Sequence, residues 1–270
     1  MSKEFQFYIV PTPIGNLGDI TLRAIEVLKS VDIIACEDSR VTKKLLNRYE
    51  ISTKLISYHK FNERERVQLF LDLLAEGKTV ALVSDAGTPL ICDPGSVLVE
   101  ELRKNNIKIT SLAGASAIPI FLSQVPREDE DFAFVGFFPK TEGKINEILQ
   151  KFSHTNLVFY DSPNRLLKTL EYIKTFNPTA RVAVGRELTK MFEEVVIDEI
   201  GNLIDYFKKN VLKGEIVAMA YKKECVDFSQ LDLLEKINSL KLKNFGAKDI
   251  STILATLYDL NKNDIYKLII

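Results

Sequence analysis

The stretch LVSDAGTPLICDPG, residues 82–95, begins as the end of an apolar β run and breaks off into a loop that spends Gly87, Pro89, Pro94 and Gly95. Helical pattern resumes only after it. Two readings are open for such a loop. It makes a tight strand-to-helix turn, or it strips away Cβ atoms so that a ligand can reach backbone N–H and C=O groups. The surroundings bear on the choice. Upstream lie FYIV (7–10), VDIIA (31–35) and KLISY (54–58), then TVALVS (79–84) itself, and downstream KITSLAG (108–114), each separated from the next by an amphipathic helical pattern. Strands alternating with helices predict right-handed crossovers and a mainly parallel sheet. Asn62 with Glu65 three residues on predicts a capping box, and Gly77 stands where a C′ glycine ends a helix. Two more strands end in similar loops, VPTPIGNLGDIT (10–21) and LAGASA (112–117). Loops at the carboxyl ends of parallel strands form the ligand crevice, so three small-residue loops predict one shared site.

The polar connector QVPREDEDF (124–132) marks the expected boundary to a second α/β set. Its candidate strands are FAFVGFF (132–138), NLVFY (156–160), RVAVGREL (181–188), EEVVIDEI (193–200) and GEIVAMAY (214–221). SPNRLLKTLEYIKTF reads as a helix with Ser162 as N-cap and Pro163 in the first turn. The short spacing of the later strands predicts a partly antiparallel sheet. From about 228 the pattern is helical only. The expected organisation is an N-terminal α/β domain with a parallel sheet (1–123), a second α/β domain with a mixed sheet (124–225) and a small helical tail domain (226–270).

A hydrophobic content of 46% is enough to bury a large core, and a formal net charge of -1 excludes a global pull toward nucleic acid or anionic membrane. Cys36, Cys92 and Cys225 are odd in number and lack CxxC spacing, so they read as small buried hydrophobes rather than disulfide or zinc ligands. His59 and His154 have no metal-ligand array around them, so no metal is expected. The N-terminus lacks the pattern of a signal peptide, and no apolar run approaches the roughly 20 residues of a spanning helix. A soluble cytoplasmic protein, with no membrane association, is expected. Neither a Walker A motif nor GxGxxG occurs.

Polar residues crowd the predicted rim. ACEDSRVTKKLLNRY (35–49) places Glu37, Asp38, Ser39 and Arg40 just past the second strand. Asp38 or Ser39 there is either an N-cap or part of a polar substrate site, with Glu37 or Asp38 as proton acceptor. His59 stands at the next rim position, as a general base or as a simple hydrogen-bonded histidine. Arg186, Glu187 and Lys190 follow a strand of the second set, as an ion-pair cluster or as a wall facing the first. Lys43, Lys44 and Arg48, then Lys60, Arg64 and Arg66, supply local positive charge, either as solvated faces or as phosphate contacts.

Six motifs in this order, VPTPIGNLGDIT, ACEDSRVTKKLL, SDAGTPLICDPG, LAGASA, FYDSPNR and GRELTKMFEE, resemble the tetrapyrrole methylase superfamily, and within it the branch that methylates 16S ribosomal RNA. AKDISTILATLYDLNKNDIYKLI is similar to that branch's helical tail, so the resemblance covers nearly the whole chain. It implies S-adenosyl-L-methionine in a cleft between two α/β domains, a homodimer, and methyl transfer to the ribose 2′-oxygen of a cytidine in the decoding region of 16S ribosomal RNA, within the small ribosomal subunit. Relatives that methylate tetrapyrrole carbons carry GGDP after the fourth strand, where this chain has AGTP (86–89).

The resemblance places cofactor contact on Thr88, Pro89, Leu90 and Ile91, on Ser116 and Ala117, on Tyr160, and on Glu215 and Ala218. Glu37, Asp38 and His59 are then the candidate bases, with Arg40, Lys43, Arg186 and Lys190 toward the substrate. Other readings are a methylase of the same superfamily acting on a small molecule or a protein, and a noncatalytic ribosome-binding factor. Lys241, Lys243, Lys248, Lys262 and Lys267 make the tail either an RNA-docking unit or a dimer prop.

Overall fold

The computed structural model describes residues 5–128, 130–210, 212–223, 230–258 and 260–270. Cys225 and the expected boundary at 225/226 lie outside them. Five short strands, β1 (Phe7–Ile9), β2 (Ile33–Cys36), β3 (Lys54–Ser57), β4 (Val80–Val83) and β5 (Ile109–Ser111), form an all-parallel sheet in the order β3-β2-β4-β1-β5. Between them run α1 (Leu22–Ser30), α2 (Ser39–Arg48), α3 (Glu63–Ala75) and α4 (Ser96–Lys104).

Period-two alternation sorts these strands' side chains to two faces. Ile34, Cys36, Ala81 and Val83 pack with Ala24, Leu28 and Leu46 of α1 and α2. Ile33, Ala35, Val80 and Leu82 pack with Phe70, Leu74, Leu98 and Leu102 of α3 and α4. Neighbouring strands β1 and β4 therefore send the chain to opposite faces. A sheet opens a crevice at such a switch point.

The helix termini show how local chemistry is spent. Gly77, at φ +80°, ends α3 with the two reciprocal bonds of a Schellman turn, Gly77 N–H to Leu74 and Lys78 N–H to Leu73. The expected capping box at the other end of α3 does not form. Asn62 is the N-cap without a side-chain cap bond. Its Oδ1 accepts instead from the His59 N–H at 2.8 Å, and its Nδ2 donates to the Ser57 carbonyl, because the preceding turn needs those groups more.

A helix α5 (Ala117–Gln124) leads into the second sheet, built from β6 (Phe132–Phe137), β7 (Asn156–Asp161), β8 (Arg181–Arg186), β9 (Glu194–Glu199) and β10 (Ile216–Ala220) in the order β6-β7-β10-β8-β9. Only β6 and β7 are parallel; the other three pairings are antiparallel. One face packs on α6 (Glu142–Lys151), α7 (Pro163–Phe176) and α8 (Ile200–Lys209). The other face, with Val158, Ala183, Val217 and Met219, packs on Ile118, Phe121 and Leu122 of α5. Gly185 makes this approach possible, since a Cβ there would lie 2.7 Å from the Phe121 ring. Both sheets thus belong to one compact unit extending to Lys222.

The second unit begins at Lys223. Its helices α9 (Gln230–Leu242), α10 (Ala247–Tyr258) and α11 (Lys262–Ile269) enclose a small core of Leu233, Ile237, Ile250, Leu254, Ile265 and Ile269. Lys241 donates to the Ile269 carbonyl at 2.9 Å, and Lys267 pairs with Asp264 at 3.2 Å. No helix among the described residues is long and apolar enough to cross a membrane.

Candidate active site

The three small-residue loops converge. The Thr12 and Gly87 backbones bond reciprocally, each N–H reaching the other's carbonyl at 2.9 Å, which locks the β1 loop to the β4 loop. Thr12 Oγ1 donates to the Ser84 carbonyl at 3.0 Å, and Thr88 Oγ1 donates to the Ala115 carbonyl at 3.0 Å, tying in the loop after β5. Gly87 holds φ +80° and Gly95 φ +135°, where an L side chain is strained. Leu90 adopts φ +74° without being glycine, a local strain of the kind concentrated at functional loops.

Against these loops stand the ends of β6 and β7 and the start of β10 in the second sheet, and between them lies a cavity of about 420 Å³. Ile14, Asp85, Ala86, Gly87, Thr88, Ile91, Cys92, Asp93, Ser116 and Ala117 line it from the first sheet. Phe137, Tyr160, Asp161, Ser162, Pro163, Leu188, Gly214, Glu215, Ile216 and Val217 line it from the second. Phe137 reaches it because β6 shifts register between Phe134 and Phe137, with Gly136 at φ +69°, which re-aims the side chain.

Of the residues expected at a cofactor, Thr88, Ile91, Ser116, Ala117, Tyr160 and Glu215 meet on this cavity. Pro89 and Leu90 do not line it: Pro89 borders a narrow void of about 10 Å³, and Leu90 packs into the core under α4. Ala218 is fully buried among α6 to α8. Ile216 and Val217, nearer the start of β10, line the cavity instead. Cys36 is buried as expected, but Cys92 is exposed, because it follows Ile91 on the outward turn of the loop.

The candidate bases separate by environment. Asp38 is the N-cap of α2, accepting from the Arg40 N–H at 2.8 Å while the Arg40 guanidinium closes on it at 2.6 Å. That hydrogen bonding holds its carboxyl down to about 2. Glu37 is pushed the other way, by burial first and by the nearby charges of Asp85 and Asp93. It lines the narrow void together with Tyr58, Ser84 and Asp93. His59 Nδ1 is enclosed and makes no hydrogen bond, and the ring sits edge-on to Phe61.

Asp85 and Asp93 are the carboxylates within the opening stretch that the sequence reading did not single out. Burial raises both pKa values; the Asp38 charge adds to it for Asp85 and the Asp85 charge for Asp93. Asp85 accepts the Asp38 N–H at 3.0 Å, whereas Asp93 borders both the cavity and the narrow void. Their signal was available: an acidic residue on each flank of a glycine-proline loop, just past a buried strand. Burial pushes the Tyr160 phenol up to about 12, with Cys92 and Asp93 adding.

On the substrate side, Arg40 and Lys43 lie outside the cavity lining, exposed on α2. Arg186 pairs with Glu194 at 3.2 Å, and Glu194 also takes the Tyr206 hydroxyl. Lys190 pairs with Glu187 at 2.8 Å and with the cavity residue Glu215 at 3.0 Å. Burial opposes its charge, and these two carboxylates outweigh it and raise its pKa. Its stem crosses Gly15, where an added Cβ would meet Lys190 Cγ at 2.4 Å, so the turn after β8 rests on the β1 loop.

Residues 6–204 match the family described as Tetrapyrrole (Corrin/Porphyrin) Methylases. Ribosomal RNA small subunit methyltransferase I of Vibrio cholerae serotype O1 is 40% identical over 267 residues, spanning 96% of this chain and 92% of that protein. The chain belongs to the ribosomal RNA small subunit methyltransferase I family. Within the wider tetrapyrrole methylase fold, a diphthine synthase structure superposes with TM-score 0.64 at 15% identity, over 80% of this chain and 90% of that one. The uroporphyrin-III C-methyltransferase of Thermus thermophilus complexed with S-adenyl homocysteine gives TM-score 0.55 at 18% identity, over 79% of this chain and 96% of that one. The fold is therefore that of the methylases, with a helical C-terminal unit beyond the matched residues.

Proposed function

We propose that the cavity binds S-adenosyl-L-methionine and that the protein methylates the ribose 2′-oxygen of a cytidine in the decoding region of 16S ribosomal RNA. It acts on the small ribosomal subunit, in the cytoplasm, as a homodimer. The observation that carries this reading is the 40% identity, across nearly the whole length of both chains, to a protein named for that subunit's RNA.

The residues fit the cofactor. About 420 Å³ lies within the range of small-molecule sites, and the lining is apolar with a few convergent polar groups. Gly87, at positive φ, keeps backbone bare on one wall, while Gly214, at positive φ on the other, leaves room for the Glu187 side chain. Ile14, Ile91, Leu188 and Val217 offer apolar contact for a purine, while Ser116, Ser162, Asp85 and Glu215 offer polar groups to hydroxyls and an ammonium. S-adenosylmethionine supplies an electrophilic methyl group on a sulfonium that departs as a neutral thioether.

The chain's own tasks are then orientation and proton removal. Fixing the reactants in line contributes roughly 7–11 kcal/mol, and the bonded loops around Thr12, Gly87 and Thr88 provide a rigid seat for it. The ribose hydroxyl must lose its proton as its oxygen attacks. Asp38, held near pKa 2 by Arg40, is a weak acceptor. Asp93 is the better placed carboxylate, with a raised pKa and a position bordering both the cavity and the void shared with Glu37. Arg40, Lys43, Arg186 and Lys190 serve the RNA side.

The test is methyl transfer from labelled S-adenosylmethionine to small subunits from cells lacking this protein, with mapping of ribose 2′-O-methyl groups. Label on one decoding-region cytidine is the expected result. Cofactor binding without label on subunits overturns the substrate assignment.

A further inference from the structure

The turn after β3, residues 58–62, carries Phe61, at 92% exposure the most exposed large apolar side chain among the described residues. Exposed apolar side chains are common singly and mean little on a soft loop. This turn is not soft. The buried Tyr58 ring lies edge-on to Phe70 at 5.7 Å, and its hydroxyl donates to Glu63 at 3.0 Å. Glu63 also accepts the Gly95 N–H at 2.8 Å, which ties the turn to the loop bordering the cavity. The Asn62 N–H donates to the His59 carbonyl at 2.9 Å, and its side chain bridges His59 and Ser57. Phe61 thus stands on a braced base, with one recorded ring contact, His59 at 6.0 Å.

Its position and surroundings indicate what it meets. The turn leaves the carboxyl end of β3, the same end of the sheet as the cavity loops. At about 4.8 Å per strand, β3 lies roughly 10 Å from β4. Lys60 and Arg64 are exposed beside Phe61, and Lys43 and Lys44 are exposed on α2, which starts from the adjacent strand β2. Glu63 faces inward through its two bonds, leaving Glu65 as the exposed acid of the segment. An exposed aromatic ring carried on a braced turn, with cations on the same segment and on the helix after the adjacent strand, is the chemistry that receives a nucleobase face with its phosphates.

We infer that Phe61 is a stacking platform for an unpaired base of the RNA substrate, near the nucleotide whose ribose enters the cavity. This rests on the ribosomal RNA reading above. The ring positions the RNA and takes no part in the chemistry.

The chain contains no tryptophan, so Phe61→Trp introduces a single fluorescent reporter at the site. With undermethylated small subunits as the probe, that fluorescence is expected to quench on binding. Phe61→Ala and Phe61→Leu are expected to raise KM for subunits about 5- to 150-fold, the loss of one base stack, with kcat and S-adenosylmethionine affinity unchanged. Phe61→Tyr retains wild-type KM. Fluorescence that ignores saturating subunits, or a leucine variant as good as the tyrosine one, overturns the inference. So does a fall in oligomer mass for Phe61→Ala, which assigns the ring to a second copy of the chain. If wild-type protein labels no subunits at all, the substrate reading itself fails and the platform goes with it.

Discussion

Thr12 and Gly87 pair backbone to backbone across the crevice between β1 and β4, in an isolated antiparallel bridge between two loops whose strands run parallel. The chain must reverse locally for this, and Gly87 at φ +80° permits it. The bridge closes the floor under the cavity and leaves Ala86, Gly87 and Thr88 lining it. The loop that ends β4 is therefore held by bonds made inside the protein, so its lining groups are in place before a ligand arrives.

Replacing Gly87 by Ala puts a Cβ in the left-handed region, 3.3 Å from Ile14 Cγ2. The left-handed conformation costs about 1–2 kcal/mol, and Ile14 is itself a cavity residue. We expect a lower urea midpoint with unchanged m-value, and weaker S-adenosylmethionine binding by calorimetry. Gly143→Ala is the control, since its Cβ would have nothing within 4 Å and it lies in the first turn of α6. There the expected change is a small gain, at most about 0.5 kcal/mol, since the full helix-interior effect of about 0.5–1 kcal/mol does not apply in the first turn.

Asp93→Asn tests the proton-acceptor role proposed for Asp93. Burial and the Asp85 charge raise the folded pKa of Asp93, so its charged form is disfavoured in the native state. The wild-type protein accordingly loses stability as pH rises from the unfolded carboxylate pKa through the folded one. The asparagine variant is expected to be more stable than wild type at neutral pH, with the difference vanishing in acid below the ordinary carboxylate range. Turnover is expected to fall about 100- to 10,000-fold, and the acid limb of the kcat profile to flatten. Proportionate loss of cofactor binding instead assigns Asp93 to the cofactor.

The strands were legible because each is a short apolar run closed by a turn signal, and the parallel and mixed character of the two sheets followed from connection lengths. The β4 loop stood out as a candidate through Gly87, which lines the cavity, and Pro89, which does not. The far wall was less legible. Phe137, Leu188 and Gly214 reach the cavity only through the order β6-β7-β10-β8-β9 and the shift at Gly136, which are long-range facts. Ala218 lies further along β10 than Ile216 and Val217, the two residues of that strand that line the cavity, and only the packing of the sheet shows how far along the strand the cavity reaches. Asn62 shows a different limit. A local capping pattern lost to a turn whose bonds hold the rim.

Asp38 and Arg40 give a pH signature. The hydrogen bonds from Arg40 lower the Asp38 pKa from an ordinary 3.8 to about 2. The stability this pair contributes is complete above the ordinary value and is lost as pH falls through the depressed one. Asp38→Asn keeps an effective N-cap while removing the charge. Its Tm is expected to lie below that of wild type near pH 5, and the gap to narrow below the ordinary carboxylate pKa and close only below about pH 2.

Gly185 and Phe121 carry the contact between α5 and the second sheet. A Cβ at residue 185 would lie 2.7 Å from Phe121 Cδ2 and 3.2 Å from Val217 Cγ1. Phe121 is fully buried and Val217 borders the cavity, so neither can move without consequence. Gly185→Ala is expected to destabilise by about 1–3 kcal/mol through overpacking. Phe121→Leu alone costs packing, yet it vacates the ring edge that the new methyl group strikes. The double variant is therefore expected to be more stable than the sum of the single changes, by a coupling of about 0.5–3 kcal/mol. Strict additivity in urea unfolding would show that the strain is relieved elsewhere. Because Val217 faces both this contact and the cavity, S-adenosylmethionine affinity should weaken in Gly185→Ala and recover in the double variant.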